Sequence, residues 1–335
     1  MGGRVVRLVT GRVPGDGACF TLACVAEEGH LIYIEPFLRD AVFGRGAAVR
    51  CDERQLSDGE GGADLDGADL TVVVDDRAGD AGPGGLVLPL RVHMVADLAP
   101  GAGPGISARE RKRQRHRVRS YAYDFEISAS DADFAVFYDR MHLPTMRARH
   151  RDDARTAGRA EAHQALFLAG FLLLVRSGGH PVAGILCRVE GRVCHARLVG
   201  WLDGDPAHLR REAVKTGNHF LLGWARGAGF DAVDFQGGEP FLSKGTFQAK
   251  RHLGGRAEIP GTALGRARVR LLSGRDSPAL RDALARNPGI ALAPGGGLAA
   301  VYFTDAGRPP RLDIPYACPG IEAHRLIDLD EFTGR

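Results

Sequence analysis

The residues best suited to chemistry gather around position 240. The chain has 44 lysines and arginines, and only Lys112, Lys215, Lys244 and Lys250 are lysines. A sequence so biased toward arginine places arginine wherever any solvated cation will serve. Lys244 and Lys250, close together in one stretch, therefore stand out. An ammonium is a compact charge with three rotatable donors, and it can meet a small developing oxyanion where a planar guanidinium fork cannot. A solvated surface role is the alternative for each. Asp234 and Glu239 lie just upstream and are the nearby carboxylates for proton transfer. Gly237 and Gly238 fall between them, where the backbone can come close to a ligand. Arg251 follows Lys250 directly.

These residues need elements to hold them. Arg210 to Ala228 reads as a helix, with Leu209, Ala213, Phe220, Leu221, Trp224 and Ala228 on its core side and Gly229 as its stop. Ala232 to Phe235 is a short apolar strand, and Lys250 is expected in the loop after it. Upstream, Phe171–Arg176 and Pro181–Val189 flank the turn Ser177-Gly178-Gly179-His180, a hairpin signal. Glu190-Gly191-Arg192 then turns the chain into Val193–Trp201. The pattern predicts an antiparallel meander, then a helix, then a strand. Tyr121–Ile127 reads as the strand that opens this region, and a helix starts between Ser128 and Asp133. Phe134, Phe137, Tyr138, Met141 and His142 recur at three- and four-residue spacing and mark an amphipathic face.

The run Asn218-x-x-Leu221-Leu222-x-Trp224-Ala225-x-x-Ala228-Gly229-Phe230-Asp231-x-x-Asp234-Phe235-x-Gly237-Gly238, followed by Gly245 and Lys250-x-x-Leu253-Gly254, resembles the second half of the Fem-type branch of the GNAT superfamily. That branch includes aminoacyl-tRNA-dependent peptidyltransferases. The resemblance runs from about Asp124 to Gly254. Ala249 and Leu253 stand where the family pattern has Phe, and Gln236 interrupts its Asp-Phe-Gly. The resemblance implies an α+β fold: a mixed, mostly antiparallel sheet flanked by helices, with a strand-rich half-domain before it. It implies an N-acyltransferase that joins an acyl or aminoacyl group to the amine of a small-molecule or peptide acceptor. Lys250 matches the family lysine that stabilises the oxyanion, and Asp234 is the first candidate for the base. Tyr138, Arg147, Arg149, Gly237, Gly238, Glu239 and Arg251 are the candidate substrate contacts. Arg147 and Arg149 hold an acceptor carboxylate or phosphate, or else pair with Asp152 and Asp153.

Two acyl carriers stay open. Coenzyme A users of this superfamily cradle its pyrophosphate with Arg/Gln-x-x-Gly-x-Gly/Ala ahead of a helix, where backbone N–H groups and the helix dipole converge. No such motif occurs between Trp201 and Gly217, and Asp203 and Asp205 put acids there instead. That favours aminoacyl-tRNA over acyl-CoA. Either is a co-substrate, and no resident cofactor or metal is expected. Ser107 to Ser120 bears on the same choice. Ser107 and Glu110 form a capping box, and seven lysines or arginines lie between Arg109 and Arg119. Arg111, Lys112, Arg113 and Arg115 are the candidates for contact with tRNA or another polyanion. A solvated, charge-rich helix is the alternative.

The remaining sequence sets bounds. With 335 residues, 44% hydrophobic content and a net charge of +3, the chain has ample core and no bulk polyelectrolyte character. Its six cysteines form no Cys-x-x-Cys, and free thiols in a reducing cytoplasm are expected, with a Cys187–Cys194 bond left open. No leader and no apolar run long enough to span a membrane is apparent, which predicts a cytoplasmic protein. The absence of Gly-x-Ser-x-Gly leaves a serine hydrolase unsupported. Residues 1–106 read as strand-rich, with strands at Val5–Val9, Phe20–Ala26, Leu31–Phe37, Leu70–Val74 and Leu86–Val95 and loops at Cys51–Asp69 and Asp80–Gly85. The expected division is 1–106, a basic helix at 107–120, a catalytic domain at 121–272 ending in a strand at Ala267–Leu272, and an extension at 273–335. A non-catalytic nucleic-acid-binding or scaffold protein is the alternative from another class. Oligomeric state is not encoded in any motif.

Overall fold

The computed structural model describes residues 3–15, 17–56, 65, 67–76, 85–99, 105–150, 157–293 and 295–334. Parts of the loops expected at 51–69 and 80–85 fall outside these residues, as do Asp152 and Asp153. The chain forms two units. The first takes Met1–His93, Gly237–Gln248 and Ala257–Arg335, and the second Met94–Gln236 and Ala249–Arg256.

In chain order, the elements begin with β1 (Arg4–Arg12), β2 (Cys19–Glu27), α1 (Glu28–Leu31), α2 (Glu35–Phe43), β3 (Val49–Gln55), β4 (Leu70–Asp75), β5 (Gly85–Pro89) and β6 (Val92–Asp97). Next come α3 (Ala108–Ser120), β7 (Tyr123–Ser128), α4 (Asp131–Val136), a π-helical turn at Phe137–His142, α5 (Leu143–His150), α6 (Arg159–Glu161) and a second π-helical turn at Ala162–Phe167. The middle of the chain holds β8 (Gly170–Ser177), β9 (His180–Glu190), β10 (Val193–Trp201), α7 (Pro206–Arg210), α8 (Ala213–Gly227), β11 (Ala232–Gly238), α9 (Gly245–His252) and β12 (Arg256–Glu258). The last are α10 (Ala263–Arg266), β13 (Arg268–Ser273), α11 (Pro278–Arg286), β14 (Gly289–Leu292), β15 (Leu298–Thr304), β16 (Ile321–Asp328) and α12 (Leu329–Thr333).

In the first unit one sheet runs β3-β1-β2-β4-β13-β5 and another β14-β15-β16. The central strand β4 is apolar along its length and buried, whereas β3, at the sheet's edge, is charged and exposed. An edge strand faces water on its outer side and needs no apolar alternation. For that reason Cys51–Gln55, expected as loop, is strand. Leu31–Phe37, expected as strand, is helical. Leu31, Ile34, Leu38 and Val42 are among the buried positions, at helical spacing, and Pro36 opens α2 near its N-terminus. Leu86–Val95, expected as one strand, is two: Pro89 ends β5, and β6 begins at Val92. The strand expected to close the catalytic domain, now β13, pairs with β4 and β5 and so belongs to the first unit. At the chain's end β16 pairs in parallel with β15, and Phe332 packs edge-on against Phe303.

The second unit is the expected mixed, mostly antiparallel α+β arrangement. Its sheet includes the strand order β6-β11-β10-β9-β8-β7. β7, β8, β9 and β10 pair antiparallel in sequence, and β11 joins β10 in parallel. The β8–β9 turn consists of Gly178 and Gly179 with φ of 56° and 82°, and Ser177 faces His180 across it. Positive φ at both central residues matches the twist of the flanking strands, so two glycines fix this hairpin. The helix expected from Arg210 is shorter. Glu212 turns left-handed at φ 55° and separates α7 from α8. On one sheet face α8 buries Leu221, Leu222 and Ala225 with Val175, Ile185, Cys187 and Val233. Each fully buried leucine there contributes about 1.5–3 kcal/mol relative to exposure. On the other face the first π-helical turn packs Phe137, Tyr138 and Met141 with Leu172, Leu174 and Leu186. All six cysteines are free thiols, with Cys187 and Cys194 buried. Among the described residues no helix is long and apolar enough to cross a membrane.

Candidate functional site

β10 and β11 are neighbours for only three residue pairs, Val193–Ala232, Cys194–Val233 and His195–Asp234. β10 then bulges between Ala196 and Leu198, leaving Arg197 out of register with β9. The side chains cluster where the parallel pairing stops. Cys194, Ala196, Val233 and Phe235 point into the core under α8. By strand alternation His195 and Asp234 point to the opposite face.

Asp234 is 6% exposed and its carboxylate is heavily bonded. It accepts the Gln236 backbone N–H at 2.6 Å, Gln236 Nε2 at 3.0 Å and His195 Nδ1 at 3.1 Å. Gln236 is a non-glycine residue in the left-handed region, at φ 64°. The short bond to Asp234 holds it there, an arrangement that costs about 1–3 kcal/mol and is met most often at functional sites. Gln236 Oε1 accepts from Arg197, and its backbone carbonyl accepts from Lys250 Nζ at 2.8 Å. Gln236 thus joins Lys250, Asp234, His195 and Arg197. Lys250 itself is half-buried in the last turn of α9 and not in a loop, as expected from the sequence. The helix fixes its backbone, and the Gln236 carbonyl fixes its ammonium.

The other candidates are dispersed. Arg91 donates to the Gly237 carbonyl at 2.6 Å. A Cβ at Gly237 would lie 2.8 Å from His93 Cδ2 and 3.2 Å from Arg91 Nε, so only glycine lets these side chains close over the strand end. Gly238 has more room, with Thr246 Oγ1 3.9 Å from such a Cβ. Glu239 pairs with Lys244 at 3.3 Å, and Lys244 also lies 4.6 Å from the centre of the Phe37 ring. Burial pushes the Glu239 carboxyl up, but Lys244 and Arg91 outweigh it and hold the group below the usual carboxylate range. That makes it a weak base. Arg251 contacts His252, its neighbour. Tyr138 lies in the core at 3% exposure, with its hydroxyl donating to the Ala157 carbonyl. Arg147 is exposed, and Arg149 sits over the Trp201 ring at 5.8 Å. Pairing of these arginines with Asp152 and Asp153 lies outside the described residues. Arg111, Lys112, Arg113 and Arg115 are all exposed on α3.

Glu110 differs from its expected role. Ser107 does cap the Glu110 N–H, at 3.1 Å. The Glu110 carboxylate, however, turns inward and accepts from Arg117 at 2.6 Å, Lys215 at 3.0 Å and His219 at 3.2 Å. Burial works to raise its pKa, yet bonds to these three partners hold it at about 2. Arg117 also pairs with Glu212, the residue at the N-cap of α8. Hence Arg117 is buried, unlike the other cations of α3, and the start of α8 is closed by an acid and its partners. Among the described residues no group of three or more His, Cys, Asp or Glu side chains is arranged to hold a metal ion.

Residue-level reading of the sequence picks out Lys250 and Asp234, which the structure links through Gln236. It misses His195, Arg197 and Gln236. The one available signal is that His195 and Asp234 each interrupt a run of mostly apolar strand residues.

Three solved structures are similar to this chain at low identity. FemX is 11% identical with a TM-score of 0.39, covering 80% of this chain and 84% of that one. L-PGS from Bacillus licheniformis is 11% identical with a TM-score of 0.38, covering 84% of each. A GCN5-related N-acetyltransferase-like protein from Streptococcus suis is 10% identical with a TM-score of 0.32, covering 81% of this chain and 84% of that one. No curated protein matches the sequence. The model of the acetyltransferase (GNAT) domain matches residues 107–244, a span that includes α3, the meander, α8 and β11.

Proposed function

We propose that this protein is an N-acyltransferase of the Fem-type branch that transfers an aminoacyl group from charged tRNA to the amine of a small-molecule or peptide acceptor. The observation that carries this reading is the Lys250 ammonium held at 2.8 Å on the Gln236 carbonyl, where β10 and β11 part. A cation fixed there is ready to stabilise the negative oxygen that develops as an amine adds to an acyl carbonyl, and it needs no reorganisation at the moment of reaction. Holding both reactants in the same place supplies much of the remaining rate.

The start of α8 favours tRNA over coenzyme A. A pyrophosphate is bound by a row of open N–H groups at a helix N-terminus. Here that position belongs to Glu212, whose carboxylate is paired with Arg117 and Lys215. The end is thus filled by a side chain and its partners and not left as open N–H groups. The exposed cations of α3 suit a large polyanion instead. On this reading the acyl donor is a co-substrate, no resident cofactor takes part, and the protein works in the cytoplasm.

The test is mass spectrometry of a pool of primary amines incubated with the full chain, with and without a mixture of charged tRNAs. Amine products heavier by one aminoacyl residue, formed only with charged tRNA, are expected. Their absence, with acylated amines appearing on addition of acyl-CoA, would contradict the donor assignment.

A further inference from the structure

We infer that His195 is the proton acceptor of the transfer and that Asp234 orients it, an assignment that rests on the acyl-transfer reading above. Asp234 was the carboxylate to expect as base, but three bonds engage it and it is buried. It reaches solvent poorly. It does reach His195, its direct partner in the parallel register, and the 3.1 Å contact is to Nδ1.

The contact fixes the tautomer. An ionised carboxylate only accepts, so Nδ1 carries the proton toward Asp234. Gln236 Nε2 lies farther from the same nitrogen, at 3.5 Å, and donates to Asp234 at 3.0 Å instead. Nε2 is then the basic nitrogen. The ring is about one-fifth exposed, and the nearest charged oxygen to Nε2 is Glu190 Oε2 at 3.8 Å, beyond hydrogen-bond distance. With Nδ1–H held by the carboxylate, Nε2 carries the ring's lone pair and is the atom that can take a proton.

The step balances without another reagent. The amine nitrogen's lone pair forms the new C–N bond. The proton released from that nitrogen passes to His195 Nε2. The bond between the acyl carbon and the ribose oxygen breaks with its electron pair, and that oxygen takes the proton from the imidazolium. Amide and free hydroxyl leave, and His195 is neutral again.

The charged groups around the ring are Asp234 on β11, Glu190 and Arg188 on β9, and Arg197 on β10. Arg188 is the register partner of His195, and Lys250 joins through Gln236.

The experiment has two arms. In the first, the full chain labelled with 15N-histidine is studied by NMR, with the His195 signals assigned by their loss in His195→Gln. Protonated Nδ1 and bare Nε2 are expected, reversing in Asp234→Asn, since an amide can hold the other tautomer. A wild-type ring protonated on Nε2 alone would overturn the assignment. In the second arm, charged tRNA and the amine pool serve as probes. His195→Ala should slow amide formation on the order of 100-fold or more and recover part of its rate with added imidazole. A His195→Ala rate equal to wild type would overturn the proposal. If wild type forms no amide with any donor, the acyl-transfer reading fails, and the tautomer arm alone decides whether the dyad is built as a base.

Discussion

At the scale of single residues, the account turns on cations of the same charge in different settings. Lys250 is fixed on a backbone carbonyl beside the Asp234–His195 pair, whereas Lys244 is already matched by Glu239 and the Phe37 ring. Lys250→Ala should lower turnover on the order of 100- to 1,000-fold, about 3–4 kcal/mol of transition-state stabilisation, with little change in unfolding temperature. Lys250→Arg should restore little of it, because a guanidinium fork cannot put its charge at the same point. Lys244→Ala should leave turnover close to wild type. Steady-state rates of the three variants, read beside their melting curves, check this. Lys250 was legible in the sequence because lysine is rare here. His195 was not, because its partner lies 39 positions away on a parallel neighbour, and parallel register leaves no local trace.

At the scale of elements, α3 and α8 are joined by a buried ion cluster. Glu110 has a pKa of about 2 in the fold, below its ordinary 4.5. A carboxylate with a lowered folded pKa adds stability above its unfolded pKa and loses it as pH falls through the folded one. The cluster should therefore weaken between about pH 4.5 and pH 2, the two values just given. Glu110→Gln should destabilise the chain by about 3–5 kcal/mol at neutral pH, since Arg117 and Lys215 lose their buried counter-charge. It should also flatten the acid transition in that window. Denaturant melts of both proteins across pH measure the two effects. The outer face of α3 makes a separate prediction. Replacing Arg111, Arg113 and Arg115 with alanine should weaken tRNA binding and lower the slope of log K against log salt by about 0.7–0.9 per lost phosphate contact. An unchanged slope would remove α3 from the tRNA surface. Sequence reading found this helix, its cap and its cations. It took Arg117 as one more solvated charge, because only α8 makes that position an interior one.

At the scale of the molecule, the antiparallel meander and α8 were legible because their apolar periods are regular and their turns are marked by glycines. The affiliation of β13 was not. It pairs with β4, nearly two hundred positions earlier in the chain, as the Arg270–Asp75 ion pair also illustrates. No local pattern encodes so distant a partner. The start of α2 was misread as strand because a dense apolar run hid the three- and four-residue spacing of its buried positions, whereas Leu38–Phe43, the stretch open to a helical reading, is helix. The chain as a whole thus joins a stretch, residues 107–244, that matches the GNAT domain model to a strand-rich unit built from both ends of the sequence. The central claim concerns the donor. It is tested most directly by competition between charged tRNA carrying a labelled aminoacyl group and acyl-CoA carrying a different label, with one amine acceptor and the full chain. The account predicts that the aminoacyl label enters the amide and that ribonuclease abolishes the transfer. An amide bearing the acyl-CoA label, formed equally well after ribonuclease treatment, would contradict it.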